Sequence, residues 1–349
     1  MHVTLRNPNC QKTVLDNGAT LDNTLSCIFA RIDDNNSKPS DEFFNSLARS
    51  VEEEALKEYY TMKSFLTSFN FNNESAYNRL LNENAGGIVV LGRCNKPTLK
   101  FLKDHFQYVA YSGLVEIQAN YDQILCSGYE ACTKALEYLN KLGHVKIGYI
   151  GEVLDEVRFD AYRHYMEGND LPFSMENVAN VTLGYNGGYE GMKKIIQNKA
   201  DISAVICAND ITAIGAMKAA REYGIKIPNT LSIIGIDDIE TSQYVTPMLT
   251  TVHIPIREMG SVTAKVIIDR IQGGHTAPMK IFLPSKLVIR ESCAQYHKNT
   301  DVNNTEFFIH QFAANNLKAS SIIRTAEVKA VFSYAEYSSQ SKHPLSHTI

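Results

Sequence analysis

The chain has 349 residues, of which 44% are hydrophobic and 21% are charged, and its formal net charge at pH 7 is -4. At roughly 150 residues per domain, this length predicts about two globular domains with ample buried core. The acidic balance argues against a surface that would hold nucleic acid by charge alone. The sequence has no run of the ~18 apolar residues that a membrane helix needs, and no apolar segment near its start that would direct secretion.

The cysteines indicate a reducing compartment. Their number is odd, none forms a C-x-x-C pair, and several lie in apolar runs. They are Cys10, Cys27, Cys94, Cys126, Cys132, Cys207 and Cys293. Reduced structural thiols fit this pattern best, so we expect a cytoplasmic protein.

In chain order, the first predicted strand is the buried apolar run "LSCIFARID" (25–33). A helix follows in "DEFFNSLARSVEEEALKEY" (41–59), where Phe44, Leu47, Val51 and Ala55 recur at helical spacing. Further apolar runs, each too short for a helix, predict strands. They are "AGGIVVLG" (85–92), "FQYVAYSG" (106–113), "VKIGYIGE" (145–152), "ISAVICAND" (202–210) and "LSIIGIDD" (231–238).

This alternation predicts α/β architecture. Strands that are apolar on both faces form parallel sheets covered by helices. A single sheet with so many crossovers would be very long, so two doubly wound parallel-sheet lobes are the more economical arrangement. Such open sheets bind ligands beyond the carboxyl ends of their strands.

Polar side chains stand at those predicted strand ends. Asn209 and Asp210 follow one strand, Asp237 and Asp238 end the next, and Arg158 comes shortly after "KIGYIGE". Carboxylate and amide oxygens accept hydroxyl protons, and a guanidinium donates two bonds to vicinal oxygens, so these residue types suit a neutral polyol. The alternative is that the Asp and Asn residues cap the following helices.

At these residues the chain resembles the LacI/GalR-type family of transcriptional regulators. The resemblance rests on an ordered set of segments that span about residues 25–293. They are "LGHVKIGYIGE", "RFDAYRHYM", "AVICANDITAIGAMKAAREYGIKIPNTLSIIGIDDIE", "TPMLTTVHIPIREMG" and "LPSKLVIRES". The resemblance implies two lobes like those of periplasmic sugar-binding proteins, joined by three crossovers, a small carbohydrate effector in the cleft, and a homodimer.

The resemblance also implies a domain organisation. Residues 1–23 would be a hinge remnant and residues 294–349 an extension to which we assign no role. The N-terminal lobe would comprise residues 24–142 with 256–284. The C-terminal lobe would comprise residues 143–255 with 285–293.

Carried over residue by residue, the family's effector contacts match Arg158, Asn209 and Asp237. Sugar sites also stack an aromatic ring on the sugar's apolar face, for which Phe43, Phe44 and Tyr185 are candidates, with ordinary packing as their alternative.

Two charged residues after the first strand, Arg31 and Asp33, are further candidates for the cleft. Their alternative reading is as solvated loop charges.

The histidines do not indicate catalysis. His144 stands at a helix end, where a structural cap is the better interpretation, and His253 stands where a crossover begins. No metal-ligand spacing, nucleophile motif or phosphate loop accompanies them, so we expect no enzyme, no metal and no cofactor.

The segment "RNPNCQKTVLDNG" (6–18) is similar to the family's hinge, with Pro8, Asn9, Leu15 and Gly18 matching. In that hinge, the position of Leu15 inserts into the minor groove of operator DNA. Only five residues precede the segment, and family members carry a helix-turn-helix there. We therefore expect operator binding only from an intact form that has one, and a frayed polar terminus is the alternative for Leu15.

Two functions stay open from sequence. The first is the effector-binding and dimerisation portion of a sugar-responsive regulator. The alternative is a stand-alone sugar-binding protein without transcriptional output.

Overall fold

The structure is a computed structural model that describes residues 23–30, 41–69 and 74–297. Its strands are β1 (Thr24–Ala30), β2 (Thr61–Phe69), β3 (Gly87–Gly92), β4 (Val109–Gly113), β5 (Asp122–Leu125), β6 (Ile147–Gly151), β7 (Val178–Asn180), β8 (Ala204–Cys207), β9 (Ser232–Ile234), β10 (Thr251–His253), β11 (Lys280–Phe282) and β12 (Lys286–Val288). Its α-helices are α1 (Asp41–Lys57), α2 (Glu74–Asn82), α3 (Lys96–His105), α4 (Gly128–Lys141), α5 (Val157–Gly168), α6 (Tyr185–Gln197), α7 (Asp210–Glu222) and α8 (Ile256–Ile271).

Several predictions lie outside the described residues. They concern Leu15, Arg31, Asp33, the hinge segment and nearly all of the extension from residue 294.

The first lobe is built on a six-stranded parallel sheet in the order β11-β5-β4-β3-β1-β2. Both of its faces are buried, as the apolar runs predict. Cys27 and Val89 contribute to the core on one face, whereas their neighbours Ile28 and Val90 contribute to the core on the other. Because side chains alternate along a strand, a sheet covered on both sides needs apolar residues at consecutive positions.

The second lobe contains a four-stranded parallel sheet in the order β7-β6-β8-β9. An antiparallel pair of β10 and β12 accompanies it. The chain passes between the two lobes three times: after β5, before α8 and after β11. The prediction of two doubly wound parallel-sheet lobes joined by three crossovers is therefore confirmed.

Helix α4 packs with the second lobe, although the predicted boundary after residue 142 assigns it to the first lobe. The resemblance places residues 24–142, and therefore α4, in the first lobe. In the structure α4 packs against α5, β10 and β12 of the second lobe. Its buried face, which includes Cys132 and Leu136, finds its apolar partners there. The other lobe boundaries stay predictions.

No helix within residues 23–30, 41–69 and 74–297 is long and apolar enough to cross a membrane.

Candidate ligand-binding site

Three strand ends of the second lobe lie side by side. Strand β8 pairs in parallel with both β6 and β9, so their carboxyl ends share one edge of the sheet. Arg158 is the second residue of the helix after β6. Asn209 caps the helix after β8, and Asp237 follows β9 by three residues. The sheet thus brings these three sequence-predicted residues to one edge.

Arg158 is 5% exposed, and its guanidinium is held mainly by Glu156, which caps α5. Its Nε donates to Oε1 of Glu156 at 2.6 Å and its Nη2 donates to Oε2 at 2.9 Å. Its Nη1 donates to the carbonyl oxygen of Ala208 at 2.6 Å. A guanidinium carries five N–H groups, so within the described part of the chain two are left for another acceptor. The two bonds to Glu156 fix the plane of the guanidinium, and the two remaining N–H groups lie in that plane.

Asn209 is 4% exposed and caps α7, because its Oδ1 accepts a hydrogen bond from the backbone N–H of Thr212 at 3.0 Å. The capping alternative is therefore confirmed for its oxygen. Its Nδ2 group makes no hydrogen bond among the residues that the structure describes, so the amide retains donors for a ligand.

Asp237 combines two unusual features. Its backbone has φ of +124°, a region that L-residues rarely adopt. Its side chain is 4% exposed, and Oδ1 is buried without a hydrogen-bond partner in the described chain. Burial, together with the carboxylates of Asp210 and Glu42, raises its pKa well above the ordinary value, and Arg158 partly opposes this rise. The alternative that Asp237 caps a helix is wrong, and its unpaired buried oxygen calls for another partner.

Asp210, by contrast, is fully paired within the protein. Its Oδ1 accepts from the hydroxyl of Thr251 at 2.5 Å, and its Oδ2 accepts from the backbone N–H of Ile239 at 3.0 Å. A Cβ at Gly235 would stand 2.2 Å from Oδ1, so the close approach of this carboxylate requires glycine there. Burial raises the pKa of Asp210 to about 7.

Asp238 also has a structural partner set. Its Oδ1 accepts from Nη2 of Arg290 at 2.5 Å, and its Oδ2 pairs with Nδ1 of His253 at 3.0 Å. Arg290 also donates to the carbonyl of Leu249 at 2.9 Å. This cluster ties β10 to the segment after β12, which agrees with a packing role for His253.

The aromatic candidates occupy different environments. Phe43 is 5% exposed and packs in the core, edge to face with Phe44 at 5.1 Å between ring centroids. Phe44 in turn contacts Phe29 at 5.7 Å. Phe43 thus packs in the core of the first lobe, as the alternative of ordinary packing predicts. Tyr185, the first residue of α6, is 48% exposed, and its pKa is raised by burial and by Glu42 of α1. The charge of Glu42, on a helix of the first lobe, thus acts on the hydroxyl of Tyr185 in the second lobe.

Sequence reasoning missed a set of charges around Arg158. Arg93, just after β3 of the first lobe, donates from Nη1 to Glu152 at 2.9 Å and contacts Glu156 through Nη2. Glu156 is 1% exposed. The segment "GEVLDEVR" shows the two glutamates ahead of Arg158, but nothing in the sequence indicates their partner from the other lobe.

His144 is a structural residue. It is 3% exposed, its Nδ1 lies 2.9 Å from Oγ of Ser203, and its Nε2 lies 3.0 Å from the carbonyl of Ala294. Burial lowers its pKa. Across the described ranges, no group of three or more His, Cys, Asp or Glu side chains could hold a metal ion.

Comparison with known proteins agrees with this architecture. Residues 136–293 match the model of the periplasmic binding protein-like domain. The HTH-type transcriptional repressor MelR of Bacillus subtilis is 29% identical over 265 residues, which are 72% of this chain and 74% of MelR. The repressor PurR of Yersinia pestis is 32% identical over 177 residues, 50% of this chain and 52% of PurR. The chain thus spans about half the length of PurR.

Solved structures show the same fold. The transcriptional regulator CelR in complex with cellobiose superposes with a TM-score of 0.70 at 20% identity, covering 78% of this chain and 85% of CelR. A LacI family regulator from Enterococcus faecium with bound ribose gives a TM-score of 0.68 at 22% identity, covering 78% of this chain and all of that one. MelR and PurR are named as transcriptional repressors, and CelR is named as a transcriptional regulator.

Proposed function

We propose that this chain, a member of the LacI/GalR-type family of transcriptional regulators, binds a neutral carbohydrate between its two lobes as the ligand-responsive part of a regulator. The observation that carries the proposal is Asp237. A buried carboxylate oxygen without a partner, on a strained backbone, costs free energy that a ligand hydroxyl would recover.

The neighbouring groups suit the same ligand chemistry. Asp237 would accept from one hydroxyl, and the free amide of Asn209 would donate to another oxygen. Arg158 keeps two N–H groups beyond its bonds to Glu156 and Ala208, which suits two vicinal oxygens. Tyr185 would offer its ring to the sugar's apolar face. Because Arg158 is already paired with Glu156, the site has no unbalanced positive charge to favour an anionic ligand.

In the intact regulator, ligand binding would shift the equilibrium between conformations with different affinity for operator DNA. The cellobiose and ribose of the two structural neighbours support a carbohydrate as the ligand class.

The test is a thermal-shift screen of mono- and disaccharides, cellobiose and ribose among them, followed by calorimetry on variants. A ligand that binds only the folded state raises the melting temperature. Asp237→Ala should weaken binding of the best sugar by about tenfold to a hundredfold, the equivalent of roughly 1 to 3 kcal/mol.

Asp238→Asn is the matched control, because this neighbouring carboxylate is bound by Arg290 and His253. It should lower the melting temperature of the free protein and leave sugar affinity unchanged. Unchanged affinity in Asp237→Ala, or the absence of any stabilising sugar, would refute the assignment.

We also propose that the chain forms a homodimer, as its relationship to the family implies. Sedimentation at tens of micromolar, on the order of the dissociation constant of a modest interface, should give twice the monomer mass. Monomer alone at that concentration would contradict this proposal and leave the ligand site untouched.

A further inference from the structure

An ion-pair network joins the two lobes at the edge of the cleft. Arg93 belongs to the first lobe, whereas Glu152 and Glu156 belong to the second. Arg93 Nη1 donates to Oε2 of Glu152 at 2.9 Å, and Nη2 contacts Oε2 of Glu156. Arg158 donates to the same carboxylate of Glu156. Two guanidinium groups and two carboxylates thus balance in charge, and Glu156 is shared between the lobes.

The backbone places Arg93 for this contact. Gly92, which precedes it, has φ of +93°, and a Cβ there would stand 2.6 Å from the carbonyl oxygen of Ala30. The same carbonyl accepts from the backbone N–H of Arg93 at 3.1 Å. The turn out of β3 therefore requires glycine and directs the chain toward the second lobe.

The acceptors are fixed as well. The hydroxyl of Tyr149, buried in the second lobe, donates to the carbonyl oxygen of Glu152 at 3.0 Å. Glu156 is 1% exposed and accepts from the backbone N–H of Arg158 at 3.1 Å. The carboxylate of Glu156 is thus held in place before it receives Arg93, so this bond is made at a small entropic cost.

We propose that Arg93 is an interlobe latch: a positioning residue that stabilises the closed arrangement of the two lobes through Glu152 and Glu156. Its influence on the ligand through Arg158 rests on the proposed function, whereas its influence on closure does not. The arginine side chain is 29% exposed and that of Glu152 is 35% exposed, so salt screens this pair only in part.

The closing experiment uses the ligand-free protein and pulsed electron-spin distance measurements. Spin labels would be attached at Lys100→Cys on α3 and Lys218→Cys on α7, two exposed positions on different lobes. As a control, the protein without these two substitutions would be treated with the same spin label, so that any labelling of the native cysteines is measured. Arg93→Gln should move the distribution to longer distances and raise the open-to-closed ratio about tenfold, which corresponds to about 1.4 kcal/mol.

Further variants separate a latch from a merely structural role. Arg93→Lys keeps the charge but cannot reach both carboxylates, so it should restore part of the closed population. Glu152→Gln should open the cleft less than Arg93→Gln does, and the double variant should open it no further than Arg93→Gln alone. Lys146→Gln is the matched control, because it removes an exposed ion pair with Asp201 inside the second lobe and should leave the distances unchanged.

An unchanged distance distribution in Arg93→Gln, in a protein whose circular dichroism shows it to be folded, would overturn the latch. So would equal opening in Lys146→Gln. Because no sugar is present, neither outcome bears on the proposed carbohydrate site. Conversely, failure of every sugar to bind would leave the latch standing.

Discussion

The buried carboxylate of Asp210 should make the free protein less stable as the pH rises. Burial raises the pKa of Asp210 from 3.8 to about 7. Between these values the folded state holds a proton that the unfolded state has released, so the folded state is the one that binds more protons. Stability is therefore full at low pH and falls as the pH rises. The loss is about 1.4 kcal/mol of unfolding free energy per pH unit, or about 4 kcal/mol over the whole interval.

Another buried group acts in the opposite direction. Burial lowers the pKa of His144 below its ordinary 6.5, so the unfolded state binds the extra proton and stability falls as the pH drops below that value. A pH profile of the wild type alone would thus mix the two effects. The pKa of Asp237 is raised like that of Asp210, and the two carboxylates raise each other's free energy when ionised.

The informative measurement is therefore a difference. Asp210→Asn removes the ionisation while keeping both hydrogen bonds, because the amide oxygen can accept from Ile239 and the amide nitrogen can donate to the hydroxyl of Thr251. Urea unfolding would be followed from about pH 5 to about pH 8 for both proteins. The stability of the variant relative to the wild type should increase by at least about 2 kcal/mol across this range.

Parallel profiles for the two proteins would refute the reasoning. They would mean that water or a local rearrangement solvates the Asp210 carboxylate, so that its charge carries no penalty. A difference of the opposite sign would mean that a cation compensates the charge.

Two other substitutions test the site from different directions. Arg158→Lys should weaken sugar binding by roughly tenfold, since an ammonium cannot reproduce the fork to Glu156 and also present two further donors; calorimetry would measure this, and full affinity would exclude Arg158 from the site. Phe43→Ala should cost about 3 to 5 kcal/mol of unfolding free energy, as for other buried phenylalanines. It should leave sugar affinity nearly unchanged, and a large loss of affinity in a folded variant would show that its ring contacts the ligand.

The sequence by itself determined the architecture and which residues stand at the strand ends. Consecutive apolar residues such as Ile206 and Cys207 can only be buried on opposite faces of a covered parallel strand. Polar residues directly after such strands must then meet at one edge of the sheet. For this reason Arg158, Asn209 and Asp237 could be placed near one another from local patterns alone.

Only the tertiary structure decided what these residues do there. Asn209, Asp210 and Asp237 are all polar residues that follow a strand in the sequence. In the structure the side-chain oxygen of Asn209 caps a helix, and the carboxylate of Asp210 accepts hydrogen bonds from within the protein. Asp237 has one oxygen without a partner in the described chain. Phe43 and Tyr185 both carry an aromatic ring, but Phe43 is buried and Tyr185 is exposed, because burial depends on what packs against each ring.

The contacts between lobes were the least accessible to sequence reasoning. Arg93 and Glu152 lie 59 positions apart, and neither stands in a pattern that reveals the other. Helix α4 packs against α5, β10 and β12 of the second lobe, and no local pattern in its sequence indicates these partners. Periodicity reports which face of an element is buried, but the partner of that face is chosen by three-dimensional packing over the whole chain.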